Sequence, residues 1–214
     1  MDNEGEICNL CGYKIKYITQ PFCMKCGKPL EYEDVELCGD CKKGRHEYER
    51  NVAVFGYTQA LKESIYRFKY GNKREYACFY GKSIAQLKGH IIRSWQPDCI
   101  IPIPLHKSRY RRRGFNQAEL IARELGKSTG IEVVNNLLIR TKNTKAQKTL
   151  NDKERAQNVK KAFQVRHNVV KYKKVLLIDD IYTTGTTIDA CAKILKEAGV
   201  EKVYSVTLCI GRGY

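Results

Sequence analysis

The run Val52-Ala-Val-Phe-Gly-Tyr57 is apolar almost throughout, and directly after it Leu61, Ile65 and Phe68 return at helical spacing. That change of period, from an unbroken run to a one-sided stripe, repeats down the chain. A helix is predicted over 77–93, a short strand at 99–103 between Pro97 and Pro104, and a helix over 116–128 that stops before Gly130. Val133-Val134, Leu137 to Ile139, and the pair Phe163 and Val165 give weaker strand signals. A strand at 175–179 follows, then a helix reaching 198 with Gly199 as its stop, then a last strand at 203–210. Strands that alternate with helices pair in parallel through crossover connections. The predicted fold is therefore α/β: an open, mostly parallel sheet with helices on both faces.

Residues 1–46 differ in kind, with short polar turns, no long apolar period and six of the ten cysteines. These form three pairs, Cys8/Cys11, Cys23/Cys26 and Cys38/Cys41, with eleven residues between successive pairs. A C-x-x-C turn aims two thiolates at one ion, and two such turns complete a tetrahedral Cys₄ zinc site. A disulfide framework or a redox-active pair are the alternatives, and a reducing compartment disfavours the first. Cys23, Cys26, Cys38 and Cys41 are favoured as the complete zinc ribbon, with Cys8 and Cys11 as half of a second site or as substitute ligands. The equal spacing also allows the quartet Cys8, Cys11, Cys23 and Cys26. Cys78, Cys99, Cys191 and Cys209 fall at scattered positions and read as small core residues. The expected organisation is a metal module over 1–46 and an α/β domain over 47–214.

At 214 residues the chain can bury a full core without staples. No apolar run approaches a membrane span, and the first six residues are acidic where a signal peptide is basic, so a cytoplasmic location is expected. The formal net charge of +16 is concentrated: residues 140–174 carry twelve Lys or Arg against two acids, and 106–114 carry five against none. Basic runs are commonly solvated faces, but two that converge on one cleft suit a polyanion, either pyrophosphate or nucleic acid.

The densest chemistry lies in Asp179-Asp-Ile-Tyr-Thr-Thr-Gly-Thr-Thr187, directly after the strand at 175–179. Two adjacent acids at a strand end can hold sugar hydroxyls or a hydrated Mg²⁺ in the crevice where open α/β sheets bind ligands. Thr183, Thr184, Thr186 and Thr187 offer hydroxyls, Gly185 lets the backbone approach an anion, and Thr186 or Thr187 fits the N-cap of the next helix. A turn and a capped helix with no ligand is the plain alternative, disfavoured because two unpartnered acids at a buried strand end cost stability.

This pattern resembles the acid-acid-x-x-x-x-Gly-x-Thr signature of type I phosphoribosyltransferases, which bind 5-phosphoribosyl-1-pyrophosphate. The resemblance implies that Asp179 and Asp180 contact the ribose while Thr183, Thr184, Gly185, Thr186 and Thr187 hold the 5′-phosphate. The basic segment after the strand at 99–103 then faces pyrophosphate with His106, Lys107, Arg109 and Arg113. The polar stretch 144–158 reads as a lid or an ordinary solvated loop; as a lid, its Lys145, Lys148 and Arg155 close over the pyrophosphate and neutralise charge on the leaving group. Asp179, Asp180, Lys145 and Lys148 are the candidate catalytic groups. With the cysteine pairs, Pro102 to His106 and Arg113 to Ala118 in the same order, the whole chain resembles the ComF family, which joins a zinc ribbon to a phosphoribosyltransferase-like domain and is linked to uptake of single-stranded DNA. Members usually show four cysteine pairs or two, and this chain has three.

Hypoxanthine-type relatives keep a carboxylate four residues after the first acid as base at the purine; here Thr183 stands there, and a hydroxyl cannot do that work unaided. The expected role is therefore binding of phosphoribosyl diphosphate and Mg²⁺ in single-stranded DNA uptake. An active phosphoribosyltransferase with another acceptor, or a ligand-gated module whose ribbon docks DNA-uptake proteins, are the alternatives. Phe55, Tyr57, Tyr66, Phe68, Tyr70, Tyr76, Phe79 and Tyr80 alternate with Lys62, Arg67, Lys69, Lys73 and Arg74, either as core and rim or as a single-strand platform.

Overall fold

The computed structural model describes residues 12–141, 162–166 and 171–211. In chain order the elements are α1 Gly39–Lys43, β1 Arg50–Gly56, α2 Gln59–Tyr70, α3 Tyr76–Trp95, β2 Cys99–Pro102, α4 Lys107–Arg113, α5 Gln117–Thr129, β3 Leu138–Arg140, β4 Phe163–Val165, β5 Lys174–Tyr182, α6 Thr186–Glu197 and β6 Lys202–Ile210. Four strands form one sheet in the order β1-β6-β5-β2, every pair parallel, while β3 and β4 make a separate antiparallel ribbon. Neighbouring side chains of β5 enter opposite cores. Val175 and Leu177 join Ile188, Cys191 and Leu195 of α6, and Leu176 and Ile178 join the stripes of α2, α3 and α5. That two-sided burial is why the strand reads as an unbroken apolar run rather than an alternating one.

Two predicted boundaries change. β5 does not end at the acids but continues to Tyr182, because β6 runs alongside and pairs Ile181 with Cys209 and Tyr182 with Ile210. The basic segment after the strand at 99–103, where no helix is predicted, contains the helix α4, which buries none of its residues. A helix without a buried face leaves no apolar period to read.

The cysteine-rich segment is fastened to the edge of the sheet. Ile18 N–H donates to Val54 O at 2.8 Å, Gly56 N–H donates to Lys16 O at 2.8 Å, and Tyr17 bridges antiparallel to Phe55. These contacts give partners to the outer edge of β1, which would otherwise be open. Lys88 of α3 is 4% exposed and donates to Ile18 O at 2.8 Å. Ile18, Phe22 and Cys23, Cys26, Cys38 and Cys41 share one apolar cluster with the sheet residues Ala53, Val175 and Val203.

Candidate functional site

β5 delivers Asp179 and Asp180 to the C-terminal edge of the sheet, where their carboxylates meet cations from three other elements. Lys69, in the last turn of α2, pairs with Asp180. The Asp180 N–H donates to Asp179 Oδ1 at 2.8 Å. Loss of water and the neighbouring Asp180 charge push the Asp179 carboxyl up to about 7, against the opposing pull of that N–H, Lys69 and Arg140. A cavity of about 200 Å³ opens here, with Asp179 and Asp180 on one side and Arg109, Arg113 and Arg140 among its other walls. Carboxylates accept from hydroxyls and guanidiniums grip phosphates, so the cavity suits a polyhydroxylated ligand with an anionic end.

Next to it, residues 182–188 enclose a smaller hollow of about 40 Å³ that shares Asp179, Ile181 and Thr187 with the first. The N-cap of α6 is Gly185 at φ +79°, not Thr186 or Thr187, and no side chain caps the helix. The Thr184 and Thr186 hydroxyls bond each other at 2.7 Å. Glycine is required at 185 twice over, since a Cβ there would also stand 2.6 Å from the Tyr182 hydroxyl. Gly185→Ala is expected to distort the loop and weaken phosphate-ligand binding at least tenfold, readable by calorimetry; native affinity in that variant would remove the loop from the site.

The chain leaving the cysteine module braces this loop from behind. His46 Nδ1 lies 2.9 Å from Asp189 Oδ2, Glu47 N–H donates to Asp189 Oδ1 at 2.8 Å, and the Tyr48 and Tyr182 hydroxyls are 2.7 Å apart. None of these three contacts carried a sequence signal.

The structure thus brings Asp179, Asp180, Arg109, Arg113 and Thr187 to one cavity, and Thr183, Thr184, Gly185 and Thr186 to its neighbour. His106 instead caps α4, its ring nitrogen accepting from the Ser108 N–H at 3.2 Å, and neither it nor Lys107 lines the cavity. Lys145, Lys148 and Arg155 lie outside the described residues. Sequence reasoning missed Lys69, Arg140, Asn116 and Gln117 as cavity residues. Gln117 is 1% exposed; its Oε1 accepts from Arg113 Nη1 at 2.8 Å, while its Nε2 has no hydrogen-bond partner among the described residues. A buried glutamine at the start of a helix, directly after a basic segment, was the available signal.

In the cysteine module the ligand atoms of Cys23, Cys26, Cys38 and Cys41 all lie within 4.8 Å of one another, and all four residues are buried. Cys26 Sγ and Cys38 Sγ stand 3.7 Å apart. Two sulfurs on one tetrahedral zinc, each about 2.3 Å from the metal, stand about 3.8 Å apart. The Cys38 N–H donates to Cys23 Sγ at 3.3 Å, as suits a thiolate. The hydrogen bond from Cys26 pulls the Cys23 thiol down and pushes Cys26 up in turn. This donor set fits structural zinc and is the quartet favoured on sequence. Cys8 and Cys11 lie outside the described residues.

Comparison with known proteins agrees with both halves. The model of the Phosphoribosyl transferase domain matches residues 81–213, and that of the Double zinc ribbon domain matches residues 1–42. Competence protein F of Haemophilus influenzae is 34% identical over 206 residues, covering 92% of this chain and 87% of that protein. Competence protein ComFC of Bacillus subtilis is 31% identical, covering 96% and 84%, and DNA utilization protein YhgH of Escherichia coli is 28% identical, covering 95% and 89%. These relatives place this chain, with its acid pair and threonine loop on a parallel strand and its four-cysteine module on the sheet edge, in the ComF family.

Proposed function

We propose that the chain binds 5-phosphoribosyl-1-pyrophosphate with Mg²⁺ and acts in the handling of incoming single-stranded DNA. The observation that carries the ligand is the meeting of the Asp179–Asp180 pair and the Thr183–Thr187 loop with a wall of arginines. In this reading Asp179 and Asp180 accept the ribose hydroxyls, and the loop N–H groups and threonines take the 5′-phosphate at the start of α6. Arg109 and Arg113 hold the diphosphate, whose charge a hydrated Mg²⁺ shares. The unused Nε2 of Gln117 supplies a buried donor beside Arg113. We assign the ribbon to residues 1–46 and this activity to 47–214. The DNA role is supported by the relatives named for competence and DNA utilization. Thr183 is exposed and cannot serve as a base, so ordinary purine salvage is not the proposed reaction.

Calorimetric titration with Mg²⁺ and 5-phosphoribosyl-1-pyrophosphate tests the site directly. The native chain is expected to bind and Asp179→Asn/Asp180→Asn to lose binding; equal affinity in both would overturn the assignment. For the DNA role, affinity for a labelled single strand should fall with salt, with a log–log slope of about −0.7 for each phosphate contacted. Affinity independent of salt would count against it.

A further inference from the structure

The aromatic and basic stretch that follows β1 separates into two populations in the fold. Phe55, Phe68, Phe79 and Tyr80 are core, whereas Tyr66 is 64% exposed and Tyr70 47% exposed. Both exposed rings lie on α2, one turn apart, with centroids 5.0 Å from each other. Two guanidiniums from α4 meet the second of them: Arg112 stands 5.5 Å and Arg113 4.9 Å from the Tyr70 ring centre. Arg113 also donates from Nη2 to the Tyr70 hydroxyl at 2.9 Å, and from Nη1 to Gln117 Oε1 at 2.8 Å, while lining the cavity that holds Asp179 and Asp180. Together α2 and α4 carry eight Lys or Arg and a single acid, Glu63.

We propose that Tyr66, buttressed by Tyr70, whose own ring Arg112 and Arg113 flank, is a stacking ledge for an unpaired base of single-stranded nucleic acid, and that Arg113, shared between ledge and cavity, makes strand and sugar diphosphate compete. The occupant follows from charge and shape. An exposed Tyr66 face, one turn from a tyrosine that two guanidiniums flank, offers a π surface to a base and cations within reach of a neighbouring phosphate, which a duplex with stacked bases cannot use. An acidic peptide would satisfy the arginines but leave the Tyr66 face without a planar partner. The competition follows from Arg113, which in this structure holds Tyr70 with one nitrogen and Gln117 with the other. Drawing that guanidinium onto a diphosphate withdraws it from Tyr70 and so from the ledge. This inference rests on the sugar-diphosphate reading only for the competition; the ledge stands without it.

The test is fluorescence anisotropy of a labelled oligothymidine of about a dozen nucleotides, the span one single-strand module covers. Tyr66→Ala, a change at an exposed ring, is expected to weaken strand binding by about tenfold or more while leaving calorimetric binding of 5-phosphoribosyl-1-pyrophosphate unchanged. Strand affinity equal to native in Tyr66→Ala would refute the ledge. Added 5-phosphoribosyl-1-pyrophosphate with Mg²⁺ should release the strand from the native chain but not from Asp179→Asn/Asp180→Asn. A strand that stays bound to native protein at saturating sugar diphosphate would refute the sharing of Arg113. If native protein fails to bind the sugar diphosphate at all, the competition falls with it, and the Tyr66→Ala comparison still decides the ledge. An oligouridine run alongside the DNA strand should bind comparably, because the ledge reads a base face and not a sugar; strict rejection of the RNA would overturn that account.

Discussion

Stripping the ribbon's zinc, or replacing Cys26 and Cys38 by serine, is expected to destabilise the whole chain and not only its first residues. Binding of a structural zinc is worth on the order of 10 kcal/mol at neutral pH, and in a domain of this size each lost kcal/mol lowers the melting temperature by about 2–4 °C. The loss spreads because the ribbon and the sheet share partners. Asn51, fully buried on β1, donates from Nδ2 to Cys26 O at 2.7 Å and from its backbone N–H to Lys25 O at 2.8 Å. Its Oδ1 accepts from Ser205 on β6 at 2.8 Å. If the ribbon opens, Asn51 and Lys88 lose acceptors in an apolar setting, each at about 1–3 kcal/mol, and the outer edge of β1 is uncovered. The expected result is a single melting transition that drops by more than about 10 °C in a strong chelator, accompanied by loss of sugar-diphosphate binding as His46 and Tyr48 release the loop. Calorimetry with metal analysis of the same sample checks it. A chain that is zinc-free and melts as before would show the four sulfurs to be mere core.

What could be read in advance, and what could not, divides along the kind of signal. Strands buried on both faces betray themselves through composition, so Val175 to Ile178 and Val203 to Ile210 needed no partner to be recognised. The two-pair cysteine spacing was equally direct, since a ligand set must be local in sequence to make each turn. Contacts across the fold left no trace. Lys69 is an ordinary helix-end lysine until α2 lies against the end of β5, and Arg140 ends a three-residue strand whose partner β4 lies more than twenty residues further on. The same holds for His46 and Asp189, which meet only because the chain leaves the ribbon across the start of α6. The cap of α6 was misread for a local reason: a row of threonines suggests a hydroxyl cap, but the turn takes a left-handed residue there, and only Gly185 tolerates it.

The acid pair should make ligand binding depend on pH close to neutrality, where an ordinary exposed carboxylate site, fully ionised well below, shows no dependence. Asp179 is raised from its usual 3.8 to about 7 by burial and by the charge of Asp180, with Lys69 and Arg140 too few to restore it. A sugar whose hydroxyls prefer the charged acceptor must therefore displace a proton below that value. Affinity for 5-phosphoribosyl-1-pyrophosphate should fall by up to about tenfold for each pH unit below 7, with proton release measurable as a buffer-dependent heat. Stability carries the opposite sign. Between about pH 4 and 7 the folded chain binds a proton at Asp179 that the unfolded chain has already lost, so this residue's contribution declines as pH rises through that window. Asp179→Asn removes the decline: near pH 8 the variant should melt a few degrees above native while failing to bind the sugar diphosphate. The two changes belong together, because the same desolvated charge that strains the cavity is the one a ligand hydroxyl relieves. An Asp179→Asn protein that melts at or below native near pH 8, with native binding flat from pH 6 to 8, would mean that Asp179 is already satisfied by its neighbours and holds nothing in reserve for a ligand.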